Sequence, residues 1–253
     1  MATPIGDKKR RFAPGEVIIS EVTKEDLQSL SEGYYASFPV PWFDKIEPTH
    51  LRAEQNVRIA RFAERMIPWI SEPHTRWTKA TLSPSSPEYD PSAPNRVIGH
   101  AGWLLPERTK SEIMNFWRKD ASDSLGWREK MGWTNEYEEG LWSGTDLKAY
   151  QEGSFLLWDK VRGDYLEGIG HWHLAPLWVV PEHQQRGVAS LLLRDGIELA
   201  DKETPPSPMY LEAMPDARVI YQHLGYQGVE GAGEGFVMIR NPPEGVKVLE
   251  KKE

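Results

Sequence analysis

The run from Val179 to Ala189 reads Val-Val-Pro-Glu-His-Gln-Gln-Arg-Gly-Val-Ala, and its residue types could bind a phosphate. An apolar segment ends at Pro181, a polar turn follows, and the apolar stretch Ser190 to Leu193 begins a helical pattern. A strand feeding a tight loop that opens a helix leaves successive backbone N–H groups pointing outward, a site suited to a diphosphate. Gly187 and Ala189 keep that loop slim, so a ligand can approach the main chain. The pattern is neither Gly-x-x-x-x-Gly-Lys-Ser/Thr nor Gly-x-Gly-x-x-Gly, which argues against a nucleotide loop and a dinucleotide fold. His171 and His173 lie upstream, and period-2 alternation on a strand puts both imidazoles on one face. An unperturbed imidazole titrates near pH 6.5 and suits proton transfer. A metal site built from His171, His173 and His183 has no support from cysteine or from a His-Glu-x-x-His pattern, so no metal is expected.

The cradle resembles the pyrophosphate motif of the GNAT family of acetyl-CoA-dependent N-acetyltransferases, Gln/Arg-x-x-Gly-x-Gly/Ala after a strand ending Val-x-Pro. Gln184, Gly187 and Ala189 fit, as do Val179 and Pro181. The resemblance implies that Gln184, Gln185, Arg186, Gly187, Val188, Ala189 and Ser190 hold the diphosphate of acetyl-CoA. It also implies that the strand carrying Trp178, Val179 and Val180 parts from its neighbour, so that pantetheine adds like a pseudo-strand. One main-chain N–H there would polarise the thioester carbonyl.

A second segment, Leu211-Glu212-Ala213 followed by Ile220-Tyr221-Gln222-His223-Leu224-Gly225, is similar to the family's strand and its helix ending Leu-Tyr-x-x-x-Gly. Tyr221 falls at the position of the family's frequent catalytic tyrosine, where a hydroxyl near the sulfur protonates the leaving thiolate. The amine arrives protonated, so a base is needed as well. His171 or His173 would serve, with Glu167 and Glu212 as alternatives. Some family members carry a His-x-His pair on this strand, although the pair here begins two residues further from the cradle. The competing reading has both histidines packed against the insertion or reaching solvent.

The elements that must position these residues follow from patterning. Val17–Val22 reads as a strand, and Thr23 with Asp26 as a helix start ahead of Leu27, Leu30 and Tyr34. Residues 50–70 read as a longer helix with Val57, Ala60, Phe62, Ala63 and Met66 inward. Strands are expected at 76–82, 96–105, 168–180 and 209–213. A helix is expected over 188–200 and another over 217–224, closed by Gly225. A terminal hairpin spans 226–240. Residues 106–165 form an irregular insertion with helical character near 111–117 and 146–161. The implied fold is α/β: a GNAT-like mixed twisted sheet flanked by helices, with a helical, Trp-rich insertion between strands 3 and 4. One domain is expected over 1–253, with 1–14 and 243–253 as loose ends.

Composition narrows the partners. A net charge of −8 over 253 residues argues against nucleic acid. No apolar run is long enough to span a membrane, and no secretory leader is visible, so a cytoplasmic setting is expected. Lys8–Arg11 has the composition of a nuclear import patch, although a solvated tail is the favoured reading. Cysteine is absent, which rules out a cysteine nucleophile and an acyl-cysteine intermediate. Eight of the eleven tryptophans fall between Trp103 and Trp178, suggesting aromatic packing around the insertion or a substrate pocket. The expected function is direct transfer of an acetyl group from acetyl-CoA to a primary amine of a small molecule. The alternative is a CoA-binding sensor or scaffold that has lost catalysis.

Overall fold

The computed structural model describes residues 9–106, 114–233 and 235–249. In chain order the elements are β1 (Val17–Glu21), α1 (Leu27–Ser37), α2 (Val40–Ile46), α3 (Gln55–Met66), β2 (Thr75–Leu82) and β3 (Val97–Leu104). The insertion then supplies α4 (Asp120–Ser124), α5 (Trp127–Met131), α6 (Asn135–Trp142), a π-helical stretch Lys148–Phe155 and α7 (Leu156–Leu166). The chain ends with β4 (Trp172–Val179), α8 (Val188–Ala200), β5 (Met209–Glu212), α9 (Arg218–His223), β6 (Gln227–Gly228) and β7 (Val237–Arg240). The seven strands make one sheet in the order β1-β2-β3-β4-β5-β7-β6. Among the described residues, only β4 and β5 pair in parallel.

Three tryptophan–glycine contacts fix how the helices lie on the sheet. A Cβ on Gly33 of α1 would sit 2.1 Å from the Trp178 ring, and one on Gly196 of α8 would sit 2.7 Å from the Trp103 indole. Alternation along β3 and β4 puts Trp178 and Trp103 on opposite faces, so α1 and α8 cover opposite sides. Within the sheet, Gly102 makes room for the Trp77 ring, 2.2 Å from its own virtual Cβ. Each glycine lets a large apolar ring approach backbone, which is close packing that a methyl group would prevent.

The insertion packs its aromatics inward. Trp117, Trp127, Trp142, Tyr150 and Phe155 are buried in the core that also contains Tyr34, Phe62 and Trp69. The tryptophan cluster is therefore chiefly core. Helical character appears over 148–166, close to the expected 146–161, while residues 114–118 are non-helical and 111–113 lie outside the described residues.

Several expectations need correction. The expected helix over 50–70 covers only Gln55–Met66, and α2, opened by Pro41 in its first turn, was not anticipated. The buried face of α3 is Ile59, Phe62, Arg65 and Met66, while Val57 and Ala60 are exposed. The face is rotated because Arg65 is drawn inward by aromatic neighbours, a preference that an apolar pattern does not register. The ends are also held more firmly than expected. Arg186 Nε donates to the Arg10 carbonyl at 2.8 Å, and Phe12 N–H donates to the Arg186 carbonyl at 3.2 Å. At the other end Leu249 N–H donates to Gly228 carbonyl at 2.7 Å, and Val229 bridges Val248. Polar, Lys-rich composition conceals such main-chain pairing.

Candidate active site

β4 and β5 pair only at Trp172↔Met209 and His173↔Tyr210. Beyond that point no ladder pair joins the two strands among the described residues, so the β5 side of residues 174–180 is left without a strand partner, and this unpaired edge is the cleft considered below. A β-bulge helps to open it. Ala101 pairs with Leu177 and Trp103 with Leu174, so β4 carries one extra residue opposite Gly102. An extra residue bends and twists its strand.

Register decides which main-chain groups face the cleft. Val180 N–H donates to Ile98 carbonyl at 3.0 Å, toward β3. By antiparallel alternation Trp178 also bonds toward β3, and the main-chain groups of Leu177 and Val179 face the cleft. The Val179 carbonyl accepts from Ser37 Oγ at 3.1 Å and from Gln184 Nε2 at 2.9 Å. Of the three strand residues picked from sequence, Val179 presents its backbone to the cleft, while Trp178 and Val180 anchor it to the sheet. Leu177 was missed, because the side of a strand left unpaired is a property of the sheet.

The cleft leads to the turn before α8. Gln185 has φ 63° and Gly187 has φ 97°, two left-handed residues that turn the N–H groups outward. A Cβ at Gly187 would meet nothing within 4 Å, so the space above it is open. The first α8 bond in the helical pattern is from Leu191 N–H to Gly187 carbonyl, and no side chain caps the helix. No acidic residue sits in the first turn. The N–H groups of Val188, Ala189 and Ser190 therefore start a 13-residue helix without intrahelical partners, and the positive end of its dipole adds to their pull on an anion.

The side chains of this turn have a different task. Arg186 is buried, donates to Glu88 through Nη1 at 2.8 Å and Nη2 at 2.5 Å, and stacks over Phe12 at 3.9 Å. His183 is buried rather than exposed in the turn, with its ring 5.6 Å from Phe12 and Arg186 Nη1 3.2 Å from Nδ1. Burial, seconded by Arg186, lowers its pKa. Arg186 and His183 thus brace the turn from behind, leaving the cradle to the backbone.

At the opposite end of β4, His173 is fully buried between two charged groups. Arg162 of α7 contacts Nδ1, and Nε2 lies 3.1 Å from Glu212 Oε2. A guanidinium can only donate, so Nδ1 is the acceptor and Nε2 carries the hydrogen donated to Glu212. Arg162 also donates to Asp159 at 3.2 Å, and Asp159 accepts from Arg118 at 2.8 Å. Desolvation pushes the Glu212 carboxyl above its ordinary value, with Arg162 opposing. His171 is buried just before β4, its Nδ1 2.6 Å from Ile169 carbonyl. The structure brings His173 and Glu212 together at the closed foot of the cleft. The length of β4 separates His183 from both His171 and His173, and among the described residues no three metal-capable side chains gather.

Tyr221 lies on α9, the helix that follows β5. It is buried, its ring is 5.8 Å from Tyr226, and its hydroxyl makes no hydrogen bond among the described residues. Burial alone raises its pKa above the ordinary phenol value, so the hydroxyl keeps its proton at neutral pH.

No family model and no curated protein matches this sequence. Solved structures do match. The histone acetyltransferase HPA2 and related acetyltransferase from Corynebacterium glutamicum is 15% identical over 90% of this chain and 97% of its own, with a TM-score of 0.50. PaiA N-acetyltransferase from Thermoplasma acidophilum, in complex with coenzyme A, is 13% identical over 88% and 98%, TM-score 0.44. A GNAT family acetyltransferase from Brucella melitensis, in complex with acetyl-CoA, is 12% identical over 94% and 97%, TM-score 0.42. The chain has the GNAT acetyltransferase fold, a mixed sheet flanked by helices, with the expected helical insertion between strands 3 and 4. Among the described residues, no helix is long and apolar enough to cross a membrane.

Proposed function

We propose that this protein is an N-acetyltransferase that moves an acetyl group from acetyl-CoA directly to a primary amine of a small molecule. The observation that carries this reading is the cleft between β4 and β5, which leads to an uncapped α8 N-terminus with an open position over Gly187. Backbone donors of residues 185–190 take the diphosphate. Pantetheine lies along the cleft edge at Leu177 and Val179 and adds to the sheet as a strand would.

The chemistry follows from the titrating groups. The incoming ammonium gives a proton to Glu212, directly or through water, with His173 holding the carboxylate in place. The amine lone pair forms a C–N bond to the thioester carbonyl, and the C–S bond breaks. As the tetrahedral intermediate collapses, Tyr221 gives its proton to the departing thiolate, and the second proton lost by the amine nitrogen replaces it through water. No cysteine is present to take the acyl group, which supports one direct transfer. A small acceptor is supported by the insertion, which bridges to the terminal hairpin through Trp158 against Phe236 at 5.8 Å and Tyr165 Oη on Glu230 carbonyl at 2.9 Å. In this reading the bridged insertion leaves less room for an extended peptide than for a small amine.

The test is calorimetric titration with acetyl-CoA of the intact protein and a Gly187→Glu variant, followed by an amine panel read with a thiol reagent. The chain has no thiol, so colour reports released CoA alone. Binding lost in the variant, with turnover of at least one amine, is expected. Absence of binding by the intact protein would overturn the proposal, and binding without turnover would favour the sensor reading.

A further inference from the structure

Arg65 occupies the buried face of α3 beside Ile59, Phe62 and Met66, with 7% of its surface exposed. Its guanidinium lies 4.1 Å over the Trp142 ring and 5.3 Å over Phe62. Nε and Nη1 are buried and make no hydrogen bond among the described residues. Arg58, seven residues earlier on the same helix, contacts Glu47 through Nε but leaves Nη2 buried without a partner among the described residues. Arg61 completes the row and donates to the Ser143 carbonyl at 2.6 Å.

These three arginines line one cavity of about 10 Å³ with Tyr35, Glu47 and Gly144. That leaves room for a water molecule or a small ion. Three arginines against one glutamate leave two uncompensated positive charges around it. Two of the acceptors at the cavity already hold donors. Glu47 receives Arg58 and the Tyr35 hydroxyl, the latter at 2.8 Å, and Ser143 receives Arg61. A water placed there would meet donors in excess of acceptors, since Arg58 Nη2 and Arg65 Nε and Nη1 have no partner among the described residues. An acceptor-only, negatively charged particle suits both the hydrogen bonding and the charge, since a buried guanidinium without a counter-charge is costly.

We propose that this cavity between α3 and the turn after α6 binds one small monovalent anion of chloride size. The anion joins the helix of the sheet domain to the insertion, because Arg58 and Arg65 belong to the first and Trp142, Ser143 and Gly144 to the second. Its lining shares no residue with the β4 edge or with the turn before α8, which makes the site independent of the acetyl-transfer reading.

The experiment uses the full chain in sodium gluconate, with chloride exchanged in at constant ionic strength. Chloride-35 NMR linewidth and the thermal midpoint are both followed. A saturable line broadening, reversed by bromide, and a saturable rise in midpoint are expected. Arg65→Met should abolish the broadening and the chloride dependence, whatever it does to the midpoint itself. Should that variant not fold, Arg61→Gln should move the chloride half-saturation to higher concentration. A linewidth equal to that of buffer, with a midpoint set by ionic strength alone, would show the cavity to hold water and overturn the proposal.

Discussion

His173 Nε2 donates to Glu212 Oε2 at 3.1 Å across the closed foot of the β4–β5 cleft, while Arg162 occupies Nδ1 of the same imidazole. The histidine is thereby held in one neutral tautomer with its hydrogen directed at the carboxylate. This makes Glu212 the stronger candidate to accept a proton, with His173 as its positioning residue.

A pH dependence follows. Glu212 must be ionised to act as a base, and burial raises its pKa. Activity should therefore fall as pH falls through that raised value, giving an acid limb above the ordinary carboxylate range. Glu212→Gln should lower kcat by roughly 10²–10⁴-fold and remove the limb. Stability has the opposite sign. The folded state holds this proton more tightly than the unfolded chain, so the contribution of Glu212 is full below its unfolded pKa and lost as pH rises through the folded one. Rate and chemical denaturation measured against pH check both. An acid limb that persists in Glu212→Gln would assign it to another group.

Tyr221→Phe should slow turnover by about 10²-fold while leaving binding of acetyl-CoA nearly unchanged. The hydroxyl has no hydrogen-bond partner among the described residues, so its removal should alter the unfolding free energy by less than ~1 kcal/mol. Steady-state kinetics beside a melt separates the two. Equal losses in rate and stability would make Tyr221 a packing residue.

Gly33→Ala tests how α1 seats on the sheet. The added methyl would lie 2.1 Å from the Trp178 ring, in a core with no room to yield. A loss of about 1–3 kcal/mol is expected from overpacking. Because Trp178 sits next to Val179, cofactor affinity should fall as well. Denaturant unfolding and the same titration measure these effects, and an unperturbed melt would mean that the ring relocates without cost.

Phe12→Ala tests the strap behind the cradle. Phe12 lies 3.9 Å from the Arg186 guanidinium and 5.6 Å from the His183 ring. Its removal should loosen the turn that carries Gln185 and Gly187. KM for acetyl-CoA should rise several-fold while kcat stays within about twofold, the signature of lost uniform binding. A fall in kcat at constant KM would contradict this role.

Features that depend on local chemistry are readable from the residues alone. Gly187 was legible because only a residue tolerant of φ 97° suits that turn, and the helix after it because its apolar spacing repeats at 3.6. The order of elements indicated the fold, whereas His171 falls just before β4 and outside the alternation expected of it. Tertiary structure alone decided which groups meet. Arg162 and His173 stand eleven residues apart on different elements, and Glu212 lies thirty-nine further along, so no spacing rule joins them. The same holds for Phe12 against Arg186 and for Arg65 turned under Trp142. Side-chain periodicity records whether a residue faces inward. It carries no information about which distant segment is folded over that face, because that is set by packing across the whole sheet.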